Sequence, residues 1–189
     1  MLRFTFMVLS VALTVSAFPV HTALVDRPVL HVHEVRSDPI VRIDARGATA
    51  KQLDYLSDAL ARFDEANLRL PDLQVVFSHD DANCNGGFGL FSTGSDPWKV
   101  TICNRHISDV YLHELAHAWT CAHLDDNAIR RFLETHGLDN WNDRSKEWRS
   151  RGFEVAAVEI AAWLGGYSET SDKPAVLDVG PLTVGRRLP

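Results

Sequence analysis

The chain has 189 residues, 46% of them hydrophobic, and sets 19 Lys and Arg against 25 Asp and Glu for a formal net charge of −6. That length suits one domain with a sizeable core. The acidic balance argues against nucleic acid as a partner, because phosphate backbones are bound by clustered cations.

The N-terminus reads as an address label. Met1 to Arg3 is short and weakly basic, residues 4–15 are apolar, and Val15-Ser16-Ala17 presents small residues where a signal peptidase cuts. Cleavage is expected after Ala17, which makes the protein secreted and extracellular. The apolar run ends before Pro19 and His21. It is too short to span a bilayer, and no other stretch is suited to it, so no stable membrane insertion is expected after cleavage.

Residues 29–35 (VLHVHEV) alternate apolar with polar, and residues 40–43 continue in β-like fashion after the turn Ser37-Asp38-Pro39, so a hairpin is predicted. His31 and His33 share a face, read as solvated because no second His-x-His follows. From Thr49, a candidate N-cap, Leu53, Leu56, Leu60 and Phe63 recur at spacings of three and four. This predicts an amphipathic helix over 49–67 covering one face of the sheet. Residues 73–78 (LQVVFS) form a strand, a loop rich in Gly, Ser and Asp runs on to Pro97, and residues 100–104 form the next strand.

A loop that long is usually functional or stapled. Cys84, Cys103 and Cys121 are an odd set in a chain bound for an oxidising compartment. One disulfide and one free thiol is the simplest reading, with three pairings possible. Cys84–Cys103 is favoured because it ties the Gly-rich loop to the end of a strand, worth about 3 kcal/mol through loop closure. Cys121, one turn after His117, is then a small buried apolar group or a further ligand.

The next helix, predicted at 108–122 with Ser108 or Asp109 as its cap, contains His113-Glu114-Leu115-Ala116-His117. Residues four apart on a helix are about 400° round and about 6 Å along, so the two imidazoles project from one face. The pattern H-E-x-x-H suits a metal: two neutral imidazoles hold one Zn²⁺, and a carboxylate beside the open coordination position takes a proton from the attacking water. Glu114 is the candidate general base. Asp125 or Asp126 caps another helix carrying Ala128, Ile129, Phe132 and Leu133 and stopped by Gly137. A connector with Trp141 and Trp148 leads to an Ala-rich helix at 151–164, closed by Gly165-Gly166, and residues 168–189 read as an irregular tail. No internal repeat is visible.

Catalytic zinc takes three protein ligands, and two residues compete for the third place. His123 follows His117 by six residues, the spacing of H-E-x-x-H-x-x-G-x-x-H. A continuous helix would turn it about 120° away from the metal face. The Gly that breaks the helix in that longer motif is replaced here by Thr120, and the only methionines, Met1 and Met7, lie in the presumed leader, leaving none for a Met-turn. Glu154 is the other candidate, on a helix whose Ala156, Ala157, Ala161 and Ala162 would let two helices approach closely. Glu159, about 140° round from Glu154, cannot face the same metal from a regular helix.

The ordered series HELAHAW (113–119), Gly137-Leu138, Trp141-Asn142-Asp143, Trp148 and Arg151-Gly152-x-Glu154-x-Ala156-Ala157 resembles a group of small, predicted secreted bacterial proteins with a gluzincin-type site. The likeness covers roughly residues 84–164, taking in Cys84, Gly86-Gly87 and Ile102-Cys103. It implies one zinc ion on His113, His117 and Glu154, with Glu114 as base. Together with the predicted elements, this leads to an expected α+β, zincin-like fold: a small, mostly antiparallel sheet with a covering helix over 28–104, and a helical metal-site half over 108–167, in one domain from 18 to 167. The chain departs from the resemblance at Val158, where a second Glu would stand; such an acid orients a ligand His in thermolysin-like enzymes, a role worth roughly 10- to 100-fold. The expected activity is peptide hydrolysis on a peptide or protein substrate, with Tyr167, His136 and His79 as candidate oxyanion donors. The alternative is a catalytically silent, zinc-stabilised extracellular binding protein.

Overall fold

The computed structural model describes residues 40–103, 107–167 and 173–178. The expected leader, the first arm of the expected hairpin with His31 and His33, and residues 179–189 lie outside the described residues. In chain order the elements are β1 (Val41–Asp44), α1 (Ala50–Glu65), β2 (Leu73–Phe77), a 3₁₀ turn (Asp81–Cys84), β3 (Gly89–Ser92), β4 (Trp98–Ile102), α2 (Asp109–His123), α3 (Asp126–His136), a second turn (Trp148–Ser150), α4 (Gly152–Gly165) and a third turn (Ala175–Asp178).

The four strands form one sheet in the order β1-β2-β4-β3. It is mixed, and the expectation of a mostly antiparallel sheet is corrected: β1 runs parallel to β2, β2 runs parallel to β4, and only β3 pairs antiparallel, with Phe91 opposite Val100. The reason lies in the connections. Parallel neighbours need a long crossover, and α1 supplies one between β1 and β2, while β3 runs back along β4 inside the stretch between β2 and β4. Alternation within a strand reports its buried face and says nothing of its direction.

The presumed loop up to Pro97 therefore contains a strand. Glycine and serine dilute the β-signal of Leu90 and Phe91, and what makes Gly89–Ser92 extended is pairing with β4. The Cys84–Cys103 disulfide is present, with a Cα–Cα distance of 6.2 Å, and the Cys103 N–H donates to the Phe88 carbonyl at 2.9 Å. Bridge and hydrogen bond together fix the entrance to β3.

Local capping sets the helices. The Gln52 backbone N–H donates to Thr49 Oγ1 at 3.2 Å while the Thr49 N–H donates to Gln52 Oε1 at 2.9 Å, a reciprocal cap. Asp125 accepts from the Ala128 N–H at 2.8 Å, and Gly137 ends α3 at φ 62°. α4 starts without a side-chain cap; the Gly152 and Phe153 N–H groups donate instead to the Asn140 and Trp141 carbonyls at 3.0 and 2.8 Å. These bonds satisfy donors that a helix start leaves open.

The core joins the inner side chains of the sheet (Leu73, Val75, Val100, Ile102) to Leu56 and Phe63 of α1, Tyr111 and Leu115 of α2, and Ile160 of α4. The most extensive helix packing is between α2 and α4, where Ala116, Ala156 and Ala157 are fully buried. Residues 173–178, expected in an irregular tail, contribute Val176 and Leu177 to this core. Among the described residues no helix is long and apolar enough to cross a membrane.

Gly152 is where α4 meets α3 and the connector. A Cβ there would come within 2.5 Å of Leu133 Cδ2 and 2.8 Å of Trp141 Cε3. Gly152→Ala is expected to destabilise the fold by about 1–3 kcal/mol through overpacking, read as a lower midpoint in chemical denaturation.

Candidate metal centre

α2 carries the H-E-x-x-H motif through its buried middle, so one turn separates His113 from His117 and their ring centroids stand 4.5 Å apart. α4 crosses this turn and presents Glu154 from its first turn. Three donor atoms converge: His113 Nε2 to His117 Nε2 is 3.0 Å, His117 Nε2 to Glu154 Oε2 is 3.1 Å, and His113 Nε2 to Glu154 Oε2 is 3.3 Å. Tetrahedral ligands about 2.0–2.1 Å from zinc lie roughly 3.3 Å from one another. The triangle has the size such an ion requires, and His113, His117 and Glu154 are a group able to hold a metal.

The electrostatics suit a cation. Burial pushes the His117 imidazole down to about 4, so it is neutral and its lone pair is free for ligation at physiological pH. For Glu154, burial alone would raise the carboxyl, but the adjacent His113 and His117 rings outweigh it and hold the group well below its usual value. Glu114 behaves oppositely. The residue is 6% exposed, and burial pushes its carboxyl up to about 7, with the Glu154 charge adding to the rise and His113 and the Phe91 backbone N–H opposing it.

Aromatic rings hold the imidazoles. Phe153 stacks on His117 with centroids 4.0 Å apart and planes 24° from parallel, Phe91 stacks at 6.5 Å, and Trp148 lies 5.9 Å from His113. His117 Nδ1, by contrast, is buried without a hydrogen-bond partner. Val158, where the resemblance would put a second acid, is 41% exposed and lines the cleft.

The other candidates lie elsewhere. His123 is not brought to the group: α2 continues unbroken to it, its Nε2 donates to the Arg69 carbonyl at 2.6 Å, and its ring stacks on Trp119. Cys121 is a free, half-buried thiol that burial pushes up to about 11. Glu159 bonds His136 at 2.7 Å, joining α4 to α3, and neither belongs to the His113, His117 and Glu154 group. His79 is exposed. Of the three oxyanion candidates only Tyr167 lines the cleft.

That cleft has a volume of about 870 Å³ and is lined by His113, Glu114, His117 and Glu154. Phe88, Ile107, Trp148, Val158 and Tyr167 also line it, five of the six exposed large apolar side chains among the described residues. Sequence reasoning missed Phe91, because its strand was hidden in a Gly-rich loop, and Phe153, whose signal was only its place next to Glu154.

No family model, curated protein or solved structure matches the chain.

Glu154→Ala is expected to abolish binding of a divalent metal ion at this group, measured by elemental analysis after gel filtration, while His123→Ala leaves it unchanged. Metal that survives the first change and leaves with the second would overturn the ligand assignment.

Proposed function

We propose that this protein is a secreted, zinc-dependent peptidase of gluzincin type with a zincin-like fold. The observation that carries the reading is the convergence of His113, His117 and Glu154 within one cleft that also holds the buried carboxyl of Glu114. The disulfide supports an oxidising, extracellular setting. When bound, zinc supplies Lewis acidity, polarising a substrate carbonyl and acidifying a water.

Each remaining role falls to the chain itself. His113, His117 and Glu154 hold the ion. Glu114, whose burial raises its carboxyl above the usual carboxylate range, accepts a proton from the attacking water and returns it to the leaving amine. The apolar lining of the cleft excludes water around a bound segment and favours large apolar side chains beside the scissile bond.

Two features favour a second reading, a zinc-stabilised binding protein without turnover: Val158 in place of an orienting acid and the unpartnered His117 Nδ1. The stacked Phe153 and Phe91 rings answer this in part, since they restrain the imidazole without a hydrogen bond.

The deciding experiment follows cleavage of a peptide library by the zinc-loaded protein and by Glu114→Gln. The wild type should prefer Phe-, Leu- or Trp-containing sequences, and the variant should bind the same zinc yet lose about 10²- to 10⁴-fold in kcat. Bound zinc with no cleavage by wild type would establish the silent reading.

The pH dependence has a definite sign. Glu114 works as a base only when ionised, so kcat/KM should rise with pH. A dication beside it lowers the value of about 7 found without metal, and the rise should fall between the ordinary 4.5 and about 7. A kcat/KM profile that is flat across this interval would remove Glu114 from the role.

A further inference from the structure

We propose that Gly89 is a positioning residue whose missing side chain sets where the Glu114 carboxyl group sits. The kinetic part of this inference rests on the peptidase reading above; the steric part does not.

A Cβ built on Gly89 would lie 2.5 Å from Glu114 Cγ, 2.6 Å from its Oε1 and 2.8 Å from its Cδ. Carbon atoms pack at about 3.5–4.0 Å, so any other residue here would push the carboxyl group roughly 1 Å or more from its place. No backbone constraint explains the glycine. Gly89 opens β3 in register with Ile102, and it is not among the glycines with positive φ. A strand position gains nothing from glycine, which weakens it by about 0.5–1 kcal/mol relative to alanine. Space is what the residue contributes.

The neighbours make that space matter. Two residues along β3, the Phe91 backbone N–H favours the ionised form of the same carboxylate, so the strand acts on Glu114 by its charge distribution as well as by its shape. The strand is itself held at its start, by the Cys103 N–H on the Phe88 carbonyl and by the Cys84–Cys103 bridge. Glu114 is buried against the strand and borders the cleft, so a carboxyl group displaced by a side chain at residue 89 would leave its place beside the ligand group. None of the atoms nearest Gly89 belongs to His113, His117 or Glu154, so the metal-binding group is left alone. β3 thus acts as a fence: it keeps the base beside the ligand group without itself reaching the metal.

The test compares wild type, Gly89→Ala, Glu114→Asp and the double variant, all zinc-loaded, on the peptide that wild type cleaves fastest. Gly89→Ala should keep one zinc per chain and a KM within about twofold of wild type, while kcat falls about 10²-fold, the usual effect of a 1 Å misplacement. Glu114→Asp shortens the carboxylate by one methylene and makes room for the new methyl group. The double variant should therefore be no slower than Glu114→Asp alone.

Wild-type kcat in Gly89→Ala, or losses that multiply in the double variant, would overturn the proposal. A general structural defect would lower zinc content and raise KM as well, and that outcome also counts against it. If wild type cleaves nothing, the peptidase reading fails separately, and crystal structures of zinc-loaded wild type and Gly89→Ala still decide the steric claim: a carboxyl group unmoved between them refutes it.

Discussion

The close approach of α2 and α4 is the constraint from which the rest of the site follows. Carboxylate and imidazole groups meet at about 3 Å only if their helices pack with little side-chain bulk between them, and the fully buried Ala116, Ala156 and Ala157 meet that condition. The approach also has to be aimed. Gly152 lets the start of α4 sit against Leu133 and Trp141, and the Asn140 and Trp141 carbonyls accept its first N–H groups, so the turn bearing Glu154 is fixed at its root. Burying a carboxylate is unfavourable unless charge or hydrogen bonds compensate. Here the compensation comes from two imidazole rings, and a bound dication would complete it.

Two carboxyl groups in one cleft are held in different states by their surroundings. Glu154 contacts both rings and is pulled towards its ionised form, whereas Glu114 is buried against the backbone of β3 and is pushed towards its protonated form. On the proposed reading, that division would separate a ligand from a base by environment alone. The imidazoles are likewise held unconventionally. Phe153 stacks closely on His117 and Phe91 lies near-parallel at a greater distance, and His117 Nδ1 makes no hydrogen bond. Stacking restrains the tilt of a ring but leaves rotation in its own plane less defined than an acceptor at Nδ1 would. The aromatic contacts continue outward through Trp141 to Phe132, so ring orientation at the metal group is tied to the packing of α3.

β3 links this chemistry to the disulfide. The Cys84–Cys103 bridge closes a loop with a sequence separation of 19, and the strand within that loop brings Gly89 and Phe91 to Glu114. A covalent clamp some distance from the metal group thereby bears on the place of the base.

Much of this was legible in the sequence because its causes are local. Helix periodicity put His113 and His117 on one face, Thr49 and Asp125 announced helix starts, Gly137 announced a stop, and the arithmetic of three cysteines with a long loop pointed to Cys84–Cys103. Rotation per residue also told against His123, which α2 turns towards Arg69. What tertiary structure decided were the facts that depend on which segments become neighbours. Strand direction came from the crossover through α1, β3 exists because β4 offers it a ladder, and Val176 and Leu177 are core because space remains for them there. Glu154 was recognisable only as a candidate until α4 was laid across α2, since a carboxylate on a helix carries no mark of what it will face. A sequence records the preferences of each residue for its near neighbours along the chain, whereas the desolvation and convergence that turn side chains into a site arise between residues that only folding brings together.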